Sequence, residues 1–413
     1  MAESYTETSY QSWGDRIKDS FRGAIVGLIL FVGAFPVLFW NEGRAVLRTQ
    51  TLEEGEKVVL SIEADEIEWL YDEKLVHLTG KTATDETLSD NRFSVTVENA
   101  IKLRRVVEMY QWQEEAHTET REQLGGGSET ITTYTYSKQW SSILDDSSQF
   151  QRPSGHLNPA YMPVKGEIFV AKKVKVGLFS LSKNMLKKMS NYQDLPITPE
   201  IFAKMQQKGG TLLDGKEIQV SQGSYYIGDD PRYPKIGDLR IKFKWVQPEV
   251  ISVIAKQMGS NLVPYKTKAG GEIELFEYGD VTAQEMFERA KMENIIITWF
   301  LRIVGFIMMF IGLNLLFEVL RILAAVVPAI GNIVGILGGI FAFLVALVFS
   351  LITIALAWLF YRPLLGITIL AIAGGIFALI LYFRKPEPVK VQLQAEDGNL
   401  FSEVDVPIKQ VGN

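Results

Sequence analysis

The sequence contains no cysteine. That absence removes disulfides, thiolate nucleophiles and cysteine-based zinc or iron–sulfur sites together. It leaves the redox compartment open, because a chain without thiols tolerates either. Histidine is nearly as scarce: His77, His117 and His156 are far apart in the chain and suggest no shared site. No nucleophile elbow, zinc-protease helix, phosphate-binding loop or dinucleotide glycine pattern occurs. A basic excess is missing too. The net charge of -6 argues against nucleic acid as a partner, since nothing is left over to neutralise phosphates. Catalysis therefore has no support in the sequence, and the expectation is a non-enzyme with no catalytic, cofactor or metal residues.

What the sequence does hold is long apolar runs. The 47% hydrophobic content is ordinary for 413 residues, but the apolar residues concentrate at the two ends. Residues 23–40, "GAIVGLILFVGAFPVLFW", form a charge-free run at the lower limit for a spanning helix. Arg16, Lys18 and Arg22 precede it, as in a signal peptide, but the apolar core is too long and no small-residue cleavage site follows. An uncleaved first span is the better reading. Residues 295–317 form a second span, interrupted only by Arg302 and Asn314. Pro328, Gly331 and Asn332 break the next tract, so 322–332 reads as an interfacial or re-entrant piece and 333–360 as the third span. Arg362 and Pro363 mark a turn before the fourth span, 364–383.

Four spans put both ends on one side. Arg16, Lys18, Arg22, Arg321, Arg384 and Lys385 gather there, against Arg362 alone on the opposite short loop, so the positive-inside rule places both termini in the cytoplasm. Segments 1–22 and 384–413 are then cytoplasmic-side. Trp40, Trp299, Trp358 and Tyr361 fall at the outer interface as anchors, joined by Arg302, which reaches headgroups by snorkelling, and by Arg44 and Arg48, which meet headgroups or the domain's base. Glu318 and Arg321, three apart, are placed to pair. Asn314 is placed to hydrogen-bond a neighbouring span. Gly23 and Gly27, and Gly331, Gly335 and Gly339, recur at four-residue spacing that lets helices pack closely. Packing among the spans of one chain and homo-oligomer formation are both open readings of that stripe.

Residues 41–294 read as a folded, β-rich extramembrane domain. In "DLRIKFKW" Leu239, Ile241, Phe243 and Trp245 alternate with Arg240, Lys242 and Lys244, the period of a half-buried strand. The spacing predicts further strands at 57–62, 75–81, 93–97, 167–176, 251–255 and 272–278, and long strands over 103–112 and 130–140. Between the long pair, "TETREQLGGGSET" reads as a flexible loop or hairpin tip. Thr198-Pro199 opens a short helix, and Thr282 with Glu285 makes a capping box for a helix that runs unbroken into the second span. The fold class is thus an α+β membrane protein: four transmembrane helices, one N-terminal and three C-terminal, with a large β-rich domain inserted between spans one and two. The acidic stretch around His117 and the basic face of Arg240, Lys242 and Lys244 read as solvated charge.

Several segments in order, "NEGRA", "IKLRRVVEMYQWQEE", "GHLNPAYMPV", "YPKIGDLRIKF", "VISVIAKQMGSNLVPYKTKAGG", "TWFLRIVGFIMMFIGLNLL" and "WLFYRPL", resemble the transmembrane protein 43 family, also called LUMA. The resemblance runs from about residue 41 to 383. It implies four spans with one large luminal domain, and no catalytic residues. It also implies, for animal members, the endoplasmic reticulum and inner nuclear membrane, with emerin and lamins as partners. For a bacterial member those partners vanish, the membrane is the inner membrane and the domain is periplasmic. The expected function is a membrane scaffold whose large domain binds other membrane or envelope proteins. A channel or transporter component, and an accessory subunit of a membrane-protein quality-control hydrolase, are the alternatives.

Overall fold

The computed structural model describes residues 3–210, 212–213 and 215–364, and beyond them only 367–368, 371–372, 375, 379, 390–391 and 404–405. The expected fourth span at 364–383 and the tail after it therefore lie mostly outside the described residues. The chain divides into two compact units, Met1–Ser350 and Leu351–Asn413.

The first unit runs through strand β1 (Glu3–Gln11), helix α1 (Trp13–Val58) and strands β2 (Leu75–Ala83), β3 (Lys102–Glu122), β4 (Ser128–Ser141), β5 (Leu239–Val246) and β6 (Val250–Met258). Helix α2 (Ala283–Ala324) follows, then the start of α3 (Pro328–Tyr361). All three helices are long and apolar enough to cross a membrane. The sequence boundaries at 22/23, 40/41 and 294/295 fall inside α1 and α2, which pass unbroken from apolar to polar surroundings. Ser12 caps α1 by accepting from the Asp15 amide. The Thr282–Glu285 capping box starts α2 as the sequence predicted. Residues 322–332 resolve into the end of α2, a turn at 325–327, and the start of α3 at Pro328, a residue suited to a helix's first turn.

Helices α1 and α2 pack antiparallel, and small residues set their approach. A Cβ added at Gly27 would meet the Gly312 carbonyl oxygen at 2.6 Å. Further along, Ala34, Leu38, Met309 and Leu313 form a buried cluster with Ala342 and Ala346 of α3. Phe349 sits edge-on to Phe31 and Phe35. Outward-facing Ile25, Ile29, Val32, Phe300, Ile303 and Ile307 stay exposed, an apolar band facing away from the protein.

Among the described residues there are two main sheets, of nine and seven strands, and all but β1 of these strands belong to the large domain. Their inner faces share one core, in which Leu78 and Val253 of the seven-stranded sheet join Leu239, Ile241 and Phe243 of the nine-stranded one. The alternation in β5 is therefore the one the sequence predicted: its basic residues point outward, where Arg240 and Lys242 pair with Glu108 and Lys244 with Asp194.

Strands β3 and β4 extend well past this core. β5 covers β3 only over Lys102–Met109, while β4 follows β3 to Glu122. Along that extension β1, from before the first span, adds to the free side of β4, pairing from Glu3↔Tyr136 to Gln11↔Ser128. The result is a three-stranded ribbon. Its nine β1 residues cover about 30 Å at strand rise. Neither face is apolar: rows such as Thr6–Thr133–His117 and Ser9–Thr130–Thr120 cross it.

Candidate functional site

Two polar clusters hold the first unit together, one at each end of the apolar helix stretch. The first is a collar where α1 and α2 enter the large domain. Asn294, Thr298 and Arg302 recur every four residues and so share one face of α2. Opposite them stand Asn41, Glu42 and Arg44 of α1. Glu42, 2% exposed, accepts two hydrogen bonds from Arg302, Nε to Oε1 at 2.7 Å and Nη2 to Oε2 at 2.9 Å. That is a bidentate, charge-assisted pair. The Arg302 guanidinium also lies 4.8 Å from the centre of the Trp299 ring. Arg44 donates to Asn294 Oδ1 and Thr298 Oγ1, each at 3.0 Å, and Asn41 Nδ2 donates to the Thr298 carbonyl at 3.0 Å. Asn294 Nδ2 donates to the Ala45 carbonyl at 3.0 Å, back across the helix pair. Every one of these bonds ties α1 to α2.

The second cluster is a latch at the ribbon's tip. Glu122 Oε1 accepts from Arg16 of α1 at 2.8 Å and from Arg321 of α2 at 3.0 Å. Arg321 also pairs with Glu318, as its spacing suggested. Three further bonds close the joint. Arg16 Nη1 donates to the Gly126 carbonyl at 2.7 Å, Trp13 Nε1 to the Ile322 carbonyl at 2.8 Å, and the Gly125 amide to the Val326 carbonyl at 3.1 Å. Gly125 and Gly126 adopt φ of +90° and +82°, so the glycine run supplies a left-handed turn that side-chain-bearing residues rarely adopt. Collar and latch are about 39 Å apart along α1, from Arg16 to Glu42 at helical rise. The β3–β4 pair that carries the ribbon runs alongside, from the domain's core to the latch.

The sequence-predicted residues distribute as follows. Trp40 and Trp299 are exposed beside the collar. Arg44 and Arg302 turn inward to partners on the neighbouring helix, and Arg48 donates to the Glu272 carbonyl at 3.1 Å. Trp358 and Tyr361 lie in the second unit at the end of α3. The glycines all meet residues of their own chain: Gly23 faces Leu315, Gly331 faces Ala325, Gly335 faces Arg321 and Gly339 faces Asn314. Asn314 Nδ2 donates to Phe310 of its own helix rather than to a neighbouring span. Sequence reasoning missed β1, Glu122 as a hub, and the partners Asn294 and Thr298. The four-residue recurrence of Asn294, Thr298 and Arg302 was the available signal.

Among the described residues the three histidines stand apart. His77 is buried, with Nε2 2.9 Å from the Val281 carbonyl, and His156 stacks on Tyr136 at 3.9 Å. His117 is exposed on the ribbon. Among the described residues no group of three or more His, Asp or Glu side chains is placed to hold a metal ion. Tyr226 and Asp238 form a buried polar pair: Tyr226 Oη donates to Asp238 Oδ2 at 2.6 Å, and Lys216 donates to Oδ1 at 3.0 Å. Burial first, then that bond and the carboxylate's charge, push the Tyr226 phenol well above its usual value.

Long apolar helices tied by buried polar pairs to a two-sheet domain define a multi-pass membrane protein with a large β-rich extramembrane domain. Comparison narrows the class. Residues 109–363 match the family model for Transmembrane protein 43. The human Transmembrane protein 43 is 36% identical over 391 residues, 91% of this chain and 93% of its own length. The mouse protein of that name is 36% identical over 85% of this chain and 87% of its own length. The Drosophila melanogaster Transmembrane protein 43 homolog is 31% identical, over 88% and 95%. The chain belongs to the transmembrane protein 43 family. No solved structure matches it.

Proposed function

We propose that the protein is a non-enzymatic membrane scaffold whose large domain binds other membrane or envelope proteins, with both termini on the cytoplasmic side. The carrying observation is the unbroken passage of α1 and α2 from domain to membrane helices, clamped by the collar. Such a joint makes domain and spans one mechanical piece, suited to holding a partner at a fixed height and orientation over a bilayer. The membrane is the endoplasmic reticulum or inner nuclear membrane in an animal and the inner membrane in a bacterium. The test is in-cell cross-linking and co-purification of the full chain, comparing wild type with substitutions on the exposed edge of the domain. A stable partner set lost on surface substitution supports the scaffold. Turnover or solute flux by the purified protein in nanodiscs, abolished by one local mutation, would overturn it.

A second reading, a channel or transporter component, draws on the ribbon. A bilayer around the exposed apolar band puts the β1–β4–β3 sheet at bilayer depth, yet both its faces are hydroxyl-rich and charged, and among the described residues no further strand pairs with either edge of the ribbon. Polar, open-edged backbone is tolerated at that depth only where protein encloses it or water bathes it. On this reading the ribbon lines a protein-walled aqueous space. The cysteine-free sequence allows a direct check with single cysteines at Leu124, on the exposed tip, and Ser260, on the domain. Labelling from opposite sides of sealed vesicles supports the crossing ribbon; labelling of both from one side sinks it.

A further inference from the structure

A cavity of about 250 Å³ lies just domain-ward of the collar, between α1, α2 and the Gly271–Glu272 backbone. Its polar lining is Arg44, Arg48, Thr51, Glu272, Glu293 and the collar's Asn294. Thr51 is 1% exposed, and its Oγ1 has no hydrogen-bond partner; the buried Arg44 Nε has none either. Buried polar groups are nearly always partnered, and both orphan atoms belong to residues that line this one cavity. The volume equals about eight waters at their share of liquid volume, enough for a small headgroup and short of a typical drug-sized pocket.

The character of the occupant follows from charge and position. Two arginines and two glutamates line the cavity, so its fixed charge balances. A polyanion would meet the carboxylates, and a simple cation the guanidiniums. Leu47 and Ile297, both exposed, form part of the rim, and the exposed Trp40 and Trp299 mark the same end of the apolar band. An occupant that carries both charges and continues into an apolar tail fits both facts. We propose that this cavity binds the headgroup of a zwitterionic phospholipid, its phosphate on Arg44, Arg48 and the Thr51 hydroxyl and its ammonium group on Glu272 and Glu293, with the acyl chains leaving past Leu47 and Ile297. Arginine forks suit phosphate oxygens. The bound lipid would sit against the collar and report the composition of the surrounding leaflet to the domain.

The experiment uses delipidated full-length protein in detergent and native mass spectrometry, with phosphatidylethanolamine, phosphatidylglycerol and inorganic phosphate as probes. Arg48→Gln and Glu293→Gln are the variants, both at sites outside the collar's own bonds, with melting without lipid as the folding control. Wild type is expected to retain phosphatidylethanolamine at least tenfold more tightly than phosphatidylglycerol. Each variant is expected to lose at least tenfold in phosphatidylethanolamine affinity, with Glu293→Gln narrowing the preference over phosphatidylglycerol. Equal or tighter phosphatidylglycerol binding, unchanged phosphatidylethanolamine binding in both variants, or displacement of the lipid by stoichiometric inorganic phosphate would each overturn the proposal. Should Arg48→Gln melt early without lipid, Glu293→Gln and Thr51→Ala decide the outcome.

Discussion

Replacing Glu42 by alanine is the sharpest probe of how the helices are joined. The carboxylate is almost fully buried and takes both hydrogen bonds of the Arg302 fork at 2.7 and 2.9 Å. Removing it strands a mostly buried guanidinium, and breaking such a pair by deleting one partner costs about 3–5 kcal/mol. The Trp299 ring contact is present in wild type and variant alike, so it leaves the difference unchanged. A loss of about 3–5 kcal/mol is therefore expected, more than a hundredfold in the folded-to-unfolded ratio. Replacing the whole pair, as Glu42→Leu with Arg302→Met, should recover most of it, because neither charge then needs a partner. The assay is reversible unfolding in mixed micelles, followed by circular dichroism for the two single variants and the double. A Glu42→Ala loss under about 0.5 kcal/mol, or a double variant as damaged as the sum of the singles, would refute the reasoning; neighbours that truly couple depart from additivity.

Three further outcomes are expected. Gly27→Leu should separate α1 from α2, since even a Cβ there meets the Gly312 carbonyl at 2.6 Å; the readout is loss of a disulfide between cysteines introduced at Phe31 and Met308. Glu122→Ala should free the ribbon's tip from both Arg16 and Arg321, raising hydrogen exchange across 122–128 while leaving exchange in β5 unchanged. Tyr226→Phe should cost about 1–3 kcal/mol, by leaving the buried Asp238 short of a donor. The tyrosine also sets a pH limb. Its folded-state pKa is raised above the unfolded value of 10.0, so its contribution is complete below pH 10 and is lost as pH climbs toward the folded value. The phenylalanine variant should melt with a flatter alkaline limb than wild type.

The apolar runs and the alternation of β5 were legible because burial imposes a period that sequence displays directly. Helix α2 was equally plain: a capping box followed by no breaker leaves the chain no reason to stop. The ribbon was not. Its strands carry threonine, glutamate and arginine on both faces, so no period separates inside from outside. "TETREQLGGGSET" therefore read as loop when β3 in fact continues to Glu122. β1 was hidden for the same reason, since an added strand with no buried face announces itself only through its partner. Arg44 and Arg302 read as headgroup anchors because a single helix shows the lipid and the solvent but not the second helix. Of their actual partners, Asn294 and Thr298 were written in four-residue spacing with Arg302, while Glu42 lay on a segment more than 200 residues away.

The latch also dictates an order of assembly. Glu122 joins Arg16 to Arg321, and β1 finds its place only on β4, residues made far later than itself. Contacts between such distant points of a chain close late, after the loops they shut have formed. The amino-terminal strand must wait, unpaired, until the hairpin arrives, and the hairpin's tip stays loose until the second span is in place. Closure of the latch thus certifies that both spans and the hairpin are present. A quality-control factor that recognises an orphaned β1 would be reading, in one short segment, whether the rest of the chain has finished folding.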